Sequence, residues 1–419
     1  MRLEETPREQ AFRAELRSWL DETLPTLPPE PPFEDWTAKR AYDTGWQRRL
    51  FDAGYAGISW PIEYGGRGAT PSEELIFLEE TERAGAPYVG CNFVSTLHAG
   101  PTIAAEGTPE QRARYLPPIL RGDNVWCQGF SEPEAGSDLA SLRTRAVRDG
   151  DHYVVTGQKI WTSHAQVADY CELLVRTDPD APVATDSAPG SSSGTAGRNL
   201  QRKHRGITWM IMPMDSPGIT VRPMRTLTGE SEFSEMFLDE VRIPVENVVG
   251  AENDGWRVAM VTFSFERGTA FVSELLGSMR LLTDLVDIAR KTPAPTGGGT
   301  AWDDAGIRRE LTVVAAELDA QWALTKRNVS RAARHGTPGV GGSVFKLAYH
   351  ETRERMGEVA LQILGRARLA LDDPTGLSAR RLDHVHQRLY ALSLSIAAGT
   401  AQIQRNIVGE RLLGLPKER

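Results

Sequence analysis

The residues best suited to ligand binding follow a short apolar segment near the middle of the chain. Phe130 and Ser131 end a predicted strand, and residues 133–136 form a predicted tight turn whose small side chains let a ligand approach the backbone. Ser137 and Asp138 add polar groups beyond the turn. Such a turn suits a bulky anionic ligand, although a plain connection between two strands is the more frequent role of these residue types.

A second pair of candidate residues lies on the strand predicted after this turn. Trp161 and Ser163 are two positions apart, so they are expected on one face of that strand. An indole and a neighbouring hydroxyl can line a binding site for a planar aromatic cofactor, whereas a tryptophan in a strand is more often part of the core. Both interpretations stay open at this point.

Several common catalytic signatures do not occur in the sequence. GxGxxG, GxxxxGK[ST] and HExxH are missing, and the GxSxG match at residues 190–194 lies in a low-complexity segment without the strand and helix of a nucleophile elbow. His384 and His386 are interpreted as solvated surface residues, and the three cysteines form no CxxC pair. The sequence therefore indicates neither a hydrolase nor a metal site.

The composition is that of an ordinary globular protein. The 419 residues are 40% hydrophobic and 25% charged, which predicts two or three domains. A net charge of -8 argues against nucleic acid and anionic membrane surfaces as partners. The N-terminal segment is charged and lacks the apolar region of a signal peptide, and no run of 18 apolar residues occurs. We expect a cytoplasmic protein without a membrane span.

Three stretches of different periodicity must position the candidate residues. Residues 1–125 are predicted to be helical, residues 126–248 contain β-type segments with turn signals between them, and residues 249–419 return to a helical period. The β region favours a compact sheet or barrel. A stretch rich in Ser, Gly, Ala and Pro, residues 178–206, is predicted to be a mobile loop whose basic end can contact anions. Four-residue spacing marks the first helix at Phe12, Leu16 and Leu20.

Several motifs, in order along the chain, resemble those of the acyl-CoA dehydrogenase family. The segment SEPEAGSD, residues 131–138, is followed by GDHYVVTGQKIWTS, residues 150–163, in the order and spacing of that family. Similar segments are GISWPIEYGGRG at 57–68, FLDEVRIPVENVVG at 237–250 and GTAQIQRNIVGERLLGLP at 399–416. Together these segments extend over most of the chain, which makes the resemblance more specific than any single motif.

The resemblance implies an α+β fold in three parts. These are an N-terminal α-helical domain at residues 1–125, a central β-barrel-like domain contacting flavin at 126–248, and a C-terminal four-helix bundle at 249–419. The bundle would carry the catalytic base and the oligomer interface. A tightly bound FAD is expected between barrel and bundle, contacted in part by a neighbouring subunit. Motif matches give the expected cofactor-binding residues: Phe130, Ser131, Ser137, Trp161, Ser163, Gln362, Gly365, Thr400 and Gln402.

The matches also imply individual roles. Phe130 and Ser131 would approach the isoalloxazine ring, Trp161 would shield the ring's edge, and Ser163 would hydrogen-bond it. Ser137 is expected near the pyrophosphate of FAD or the acyl-CoA, and so is a candidate substrate-binding residue as well. In the helical region, Thr400 and Gln402 would touch FAD directly. Gln362 and Gly365 would reach FAD across the subunit interface.

The family's reaction removes an α-proton of an acyl-CoA with a carboxylate while a hydride passes from the β-carbon to flavin N5. Medium- and short-chain members carry the base directly before the GT of the C-terminal motif, where this chain has Ala398. Isovaleryl- and long-chain-type relatives carry it after the barrel, directly before an arginine, as Glu266 precedes Arg267 here. Glu266 is therefore the predicted base, its pKa raised by desolvation, and Arg267 a predicted acyl-CoA contact. The alternatives are a solvated glutamate and an arginine in an ion pair.

The resemblance further implies partners. An electron-transfer flavoprotein would accept the electrons, and the chain would form a homodimer or homotetramer. However, no FG follows Arg290 as in many members, and residues 366–398 share little with the usual continuation. Such drift resembles actinobacterial-type dehydrogenases that work as heteromeric pairs on bulky acyl groups, for which the small Gly268 and Ala270 would leave room. A non-catalytic or half-active subunit, and a flavoprotein oxidase of the same fold, are the alternative functions.

Overall fold

The computed structural model describes residues 5–32, 34–178, 180, 203–266, 272–294, 297–335, 341–365 and 384–416. The chain forms two compact units, each assembled from segments that are distant in sequence. The sheet unit comprises Thr23–Ala69 and Ala86–Glu266, and the helical unit comprises Met1–Glu22, Thr70–Gly85 and Arg267–Lys417. The division into three consecutive domains at residues 125 and 248 stays a prediction.

Helices flank the strands in sequence, as periodicity predicted. The described helices are α1 (Pro7–Thr23), α2 (Trp36–Asp52), α3 (Pro71–Ala84), α4 (Gly100–Glu106), α5 (Pro109–Arg121), α6 (Gly255–Glu266), α7 (Val272–Lys291), α8 (Ala305–His335), α9 (Gly341–Leu364), α10 (His384–Ser393) and α11 (Ala401–Ile407). On α1 the side chains of Phe12, Leu16 and Leu20 are buried, which confirms the four-residue spacing as a core stripe. Among the described residues, no helix is both long and apolar enough to cross a membrane.

One sheet contains all the described strands. They are β1 (Trp126–Gly129), β2 (Arg145–Asp149), β3 (His152–Ser163), β4 (Tyr170–Arg176), β5 (Ile207–Pro213), β6 (Ile219–Met224), β7 (Phe233–Pro244) and β8 (Val248–Val249). The pairing order is β6-β7-β3-β2-β4-β5-β8, and β1 adds to β4 in parallel. The path is open where the sequence favoured a barrel-like arrangement, because the two-residue β8 pairs with β5 and does not return to β6.

Each unit has its own apolar core. In the sheet unit, residues that alternate along β3, β4 and β7 point to one face and are buried. The helical unit buries a stripe from each of α7, α8 and α9. Thr70 caps α3 and Thr108 caps α5, each through a capping box with the residue three positions later. The candidate residues are thus carried by two separately packed frameworks.

Candidate functional site

The candidate turn directly follows β1. Phe130 is buried and Ser131 is half-buried, while the backbone groups of Glu132 and Ala135 pair with each other across the turn at 3.2 and 3.0 Å. The carbonyl of Ser131 accepts a hydrogen bond of 3.0 Å from the backbone N–H of Ile160 on β3. The Phe130–Ser131 segment is therefore attached to the strand that carries the second candidate pair.

A buried ion pair lies beneath this turn. The ammonium group of Lys159 donates to Glu132 Oε1 at 2.9 Å and to the carbonyl of Phe130 at 3.1 Å. The Glu132 carboxylate also accepts the backbone N–H groups of Arg143 at 2.6 Å and Thr144 at 2.8 Å. Burial opposes its charge, but Lys159 and these hydrogen bonds outweigh burial, so the pKa of Glu132 lies below its ordinary value. Burial lowers the pKa of Lys159, and the carboxylate partly counteracts that effect.

A bulge places Trp161 on the outside of the sheet. The register of β3 with β7 shifts between Lys159 and Thr162, and Trp161 has a left-handed φ of 60°. Trp161 as a whole residue is 55% exposed, and its indole meets the ring of Phe233 edge-on at 5.8 Å between centroids. Ser163 is half-buried and pairs with Phe233 in the ladder. Uninterrupted alternation would turn Trp161 to the buried side that Lys159 occupies, so the bulge is what exposes it.

Helix α6 brings Glu266 towards the same turn. Phe263, one helical turn before Glu266, contacts the edge of Phe130 at a centroid distance of 5.9 Å. Thr262 hydrogen-bonds Thr102 of α4 at 2.9 Å, and Arg257 donates twice to Glu106 at 2.7 Å. These contacts fix the helix that ends the sheet unit. The structure describes the backbone of Glu266 but not its side chain, and Arg267 lies outside the described residues.

Gly255, the first residue of α6, lies against the backbone of β5. A Cβ at this position would stand 2.4 Å from the backbone nitrogen of Trp209 and 2.5 Å from the carbonyl carbon of Thr208. Since main-chain atoms cannot turn aside, we expect Gly255→Ala to push α6 away and lower the free energy of unfolding by about 2 kcal/mol. Urea denaturation measures this loss.

The matched control is Gly45→Ala on α2. Gly45 is exposed, and a Cβ there has no neighbour within 4 Å. Removing a glycine from a helix interior should raise the free energy of unfolding by about 0.5–1 kcal/mol. Equal stability of the Gly255→Ala variant and the wild type would show that α6 has room to shift without cost.

Polar residues beyond the turn meet the end of the 178–206 stretch. Ser137 is exposed, and Asp138 accepts from Lys203 at 2.8 Å and from Ser141 at 2.6 Å. Burial opposes the charge of Asp138, but Lys203 and Ser141 lower its pKa. The next residue, His204, stacks on Trp256 of α6 at 4.2 Å between ring centroids. Most of that stretch, and with it the predicted mobile loop, lies outside the described residues.

The helical unit carries the other candidates. Thr400 is the N-cap of α11 and accepts from the N–H of Ile403 at 3.3 Å, while Gln402 is exposed. Before it, Ala398 and Gly399 have left-handed φ values of 51° and 84°. This bend is held by the buried Lys346, which donates to the carbonyls of Ala397 and Gly399.

The remaining two candidates lie near the end of α9. Gln362 is exposed, and Gly365 follows the helix with a φ of 53°. The nearby prediction for His384 is wrong, because this residue is buried at the start of α10. It begins an apolar face, shared with Val385 and Ala391, that packs on α9.

The sheet unit thus brings together five of the candidates around one turn. Within the described part of the chain, the hydroxyls of Ser131, Ser137 and Ser163 make no hydrogen bond. Free hydroxyls beside an exposed indole suit a planar ligand with polar edges. Sequence reasoning missed the Glu132 and Lys159 pair. The available signal was a lysine at a position in phase with the buried Tyr153 and Val155, which indicates a buried charge that needs a partner.

Models of one protein family match three successive parts of the chain. The profile described as "Acyl-CoA dehydrogenase, N-terminal domain" matches residues 6–123. Those of the middle and C-terminal domains of acyl-CoA dehydrogenases match residues 127–241 and 253–413.

Similar individual proteins come from the same family. The chain is 36% identical to acyl-CoA dehydrogenase IpdE1 of Mycobacterium tuberculosis, with 98% of each chain covered. The solved ChsE4-ChsE5 complex of the same organism is similar with a TM-score of 0.79, 33% identity and 100% of both chains covered. A structure described as the Tcur3481-Tcur3483 steroid ACAD has a TM-score of 0.79 at 31% identity, again with 100% of both chains covered.

Proposed function

The chain belongs to the acyl-CoA dehydrogenase family, and from that membership we propose that it catalyses FAD-dependent α,β-dehydrogenation of an acyl-CoA thioester. Membership makes the protein an oxidoreductase that acts on acyl-CoA. The observation that supports this reaction is the contact between Phe130 and Phe263. It brings Phe130, an expected flavin contact, next to the helix that carries Glu266.

Glu266 is the proposed base that takes the α-proton of the thioester. It follows Phe263 by three residues on α6, and the hydrogen bond between Thr262 and Thr102 holds that turn of the helix. A glutamate of ordinary pKa is a weak base, and desolvation by a bound acyl chain would raise its pKa towards the working range. Arg267 is proposed to contact the acyl-CoA.

The residues of the sheet unit fit FAD. Ser131 and Ser163 have hydroxyls available, and Trp161 offers a broad exposed aromatic surface. When bound, FAD supplies the acceptor at N5 for the hydride that leaves the β-carbon. Ser137 is proposed to bind near the pyrophosphate of FAD or the acyl-CoA. The proposed contacts from the helical unit are Gln362, Gly365, Thr400 and Gln402.

The proposed substrate is a bulky acyl-CoA, and the proposed assembly is heteromeric. One similar structure is described as a steroid ACAD, and another is a complex of two differently named chains. We propose a cytoplasmic enzyme that pairs with a related subunit and passes electrons to an electron-transfer flavoprotein. A homodimer or homotetramer, a half-active subunit and an oxidase are the outcomes that a test must separate.

The test is an absorbance spectrum of the purified protein followed by anaerobic titration with straight-chain, branched and ring-bearing acyl-CoAs. We expect a flavin spectrum that is bleached most efficiently by a bulky acyl-CoA, and no hydrogen peroxide under air without an electron-transfer flavoprotein. Bleaching by butyryl-CoA alone would refute the substrate class. A colourless protein, both alone and after coexpression with a related subunit, would refute the proposed function.

A further inference from the structure

We propose that Lys159 and Glu132 are positioning residues for the flavin: their ion pair sets the Phe130–Ser131 backbone and the bulge that exposes Trp161. The inference rests on the proposed FAD-dependent function. Neither side chain is proposed to touch substrate or cofactor. Their effect would pass through the residues that do.

The burial of this pair is unusual for its chemistry. Lys159 is fully buried on β3, and the Glu132 side chain is 9% exposed. Lysine and glutamate are almost never found so deep without a partner, because removing either charge from water is costly. A buried pair is weak evidence for stability, since apolar residues of similar volume often stabilise a core as well. A role in placing other groups is therefore the more informative hypothesis.

The contacts of the pair connect three segments that bear on the proposed flavin site. The lysine ammonium holds the carbonyl of Phe130 directly at 3.1 Å. The glutamate accepts the N–H groups of residues 143 and 144, which closes the segment that contains Ser137. The neighbour of the lysine, Ile160, donates to the carbonyl of Ser131 at 3.0 Å. One charge pair thus joins the chain before the turn, the chain after it, and β3.

Lys159 lies immediately before the bulge in β3. The regular ladder of β3 with β7 ends at Lys159 and resumes at Thr162. The ammonium therefore anchors the last in-register residue before Trp161 adopts its left-handed φ. Loss of the anchor would let the bulge relax, and the indole and the Ser131 carbonyl would move together because Ile160 links them.

The experiment compares three variants in the FAD-loaded protein, coexpressed with a related subunit where the wild type needs one. Lys159→Met removes the charge at similar length, and Glu132→Gln keeps an acceptor for only one of residues 143 and 144, since they donate to different oxygens of Glu132. Lys159→Met with Glu132→Leu replaces the pair by apolar groups. We expect each to raise the FAD dissociation constant about tenfold, as for a lost hydrogen bond to a charged group. The resolved flavin absorption bands and the flavin midpoint potential should also shift.

A matched control separates positioning from stability. Glu80→Gln removes a carboxylate of similar burial on α3, bonded at 2.7 Å to Arg13 and Arg17 in the helical unit. It should lower the melting temperature and leave the flavin spectrum and midpoint potential unchanged. Lys159→Met with Glu132→Leu should show the reverse, with little change in melting temperature and altered flavin properties.

The outcomes are distinguishable. Wild-type FAD affinity, spectrum and potential in the doubly apolar variant would overturn the inference alone and leave the proposed function intact. Should that variant not fold, the same three readouts on Glu132→Gln decide the question, because its side chain keeps the shape and one of the two acceptor oxygens. A wild-type protein that binds no FAD would instead overturn the proposed function, and the inference with it.

Discussion

Glu266→Gln is expected to lower kcat/KM by about a thousandfold while FAD stays bound, because general base catalysis of proton transfer contributes about 10² to 10⁴. The amide has the shape of the carboxylate but cannot accept the α-proton. Anaerobic mixing with an acyl-CoA measures the rate of flavin bleaching directly, before any electron acceptor takes part. The loss should appear in that rate and not in substrate binding.

The control for this prediction is Glu63→Gln, the same change at an exposed residue of the sheet unit. It should leave the bleaching rate unchanged. Unimpaired bleaching in Glu266→Gln would exclude this residue as the base and direct attention to other carboxylates. Loss of FAD from Glu266→Gln would show that the residue supports the cofactor and not the proton transfer.

His164 should make the protein sensitive to acid. Burial, and then the charge of Lys39, lower the pKa of this imidazole to about 4 from its ordinary value near ~6.5. The charged and aromatic groups that face it are Lys39, Glu232, 3.7 Å from Nε2, and the ring of Trp36 at 5.4 Å. The folded protein therefore holds His164 neutral through a range in which the unfolded chain protonates it.

This difference in the pKa of His164 between the folded and unfolded states determines how stability changes with pH. Above pH 6.5 the residue contributes no pH dependence. Between pH 6.5 and 4 the unfolded state binds the extra proton, so stability falls as the pH falls, by about 3 kcal/mol in total. His164→Asn should remove that part of the fall, and asparagine tolerates the left-handed φ of 59° at this position. Urea midpoints of both proteins at pH 7, 5.5 and 4 measure the difference. Parallel curves would contradict the prediction.

The sequence predicted those parts of the fold that depend on a local period. The spacing of Phe12, Leu16 and Leu20 indicated a helix because burial on one side is the same rule along the whole element. The order of helices and strands followed from similar patterns. The open path of the sheet did not, since pairing between β4 and β5, or the failure of β8 to reach β6, depends on contacts across many residues.

The sequence motifs selected the candidate residues, and tertiary packing decides where their side chains lie. The carbonyl of Ser131 accepts a hydrogen bond from Ile160, the residue before Trp161, and Trp161 reaches the outer face only through a bulge that no alternation rule reveals. His384 was predicted at the surface from its polarity, and the packing of α10 on α9 buries it. Lys159 was overlooked because its partner lies 27 positions away in sequence.

The bulge in β3 also affects how this strand should be aligned with others. Odd-numbered residues up to Lys159 face the core, whereas from Thr162 onward the even-numbered residue does. The inward and outward positions must therefore be counted separately before and after the bulge. A gap of one near Val155 would turn core side chains outward, whereas a gap of one at Ile160 would restore plain alternation, with Lys159 and Thr162 inward and Trp161 still outward. Alignments of this strand with related sequences should therefore treat the segment up to Lys159 and the segment from Thr162 separately, with Ile160 and Trp161 between them.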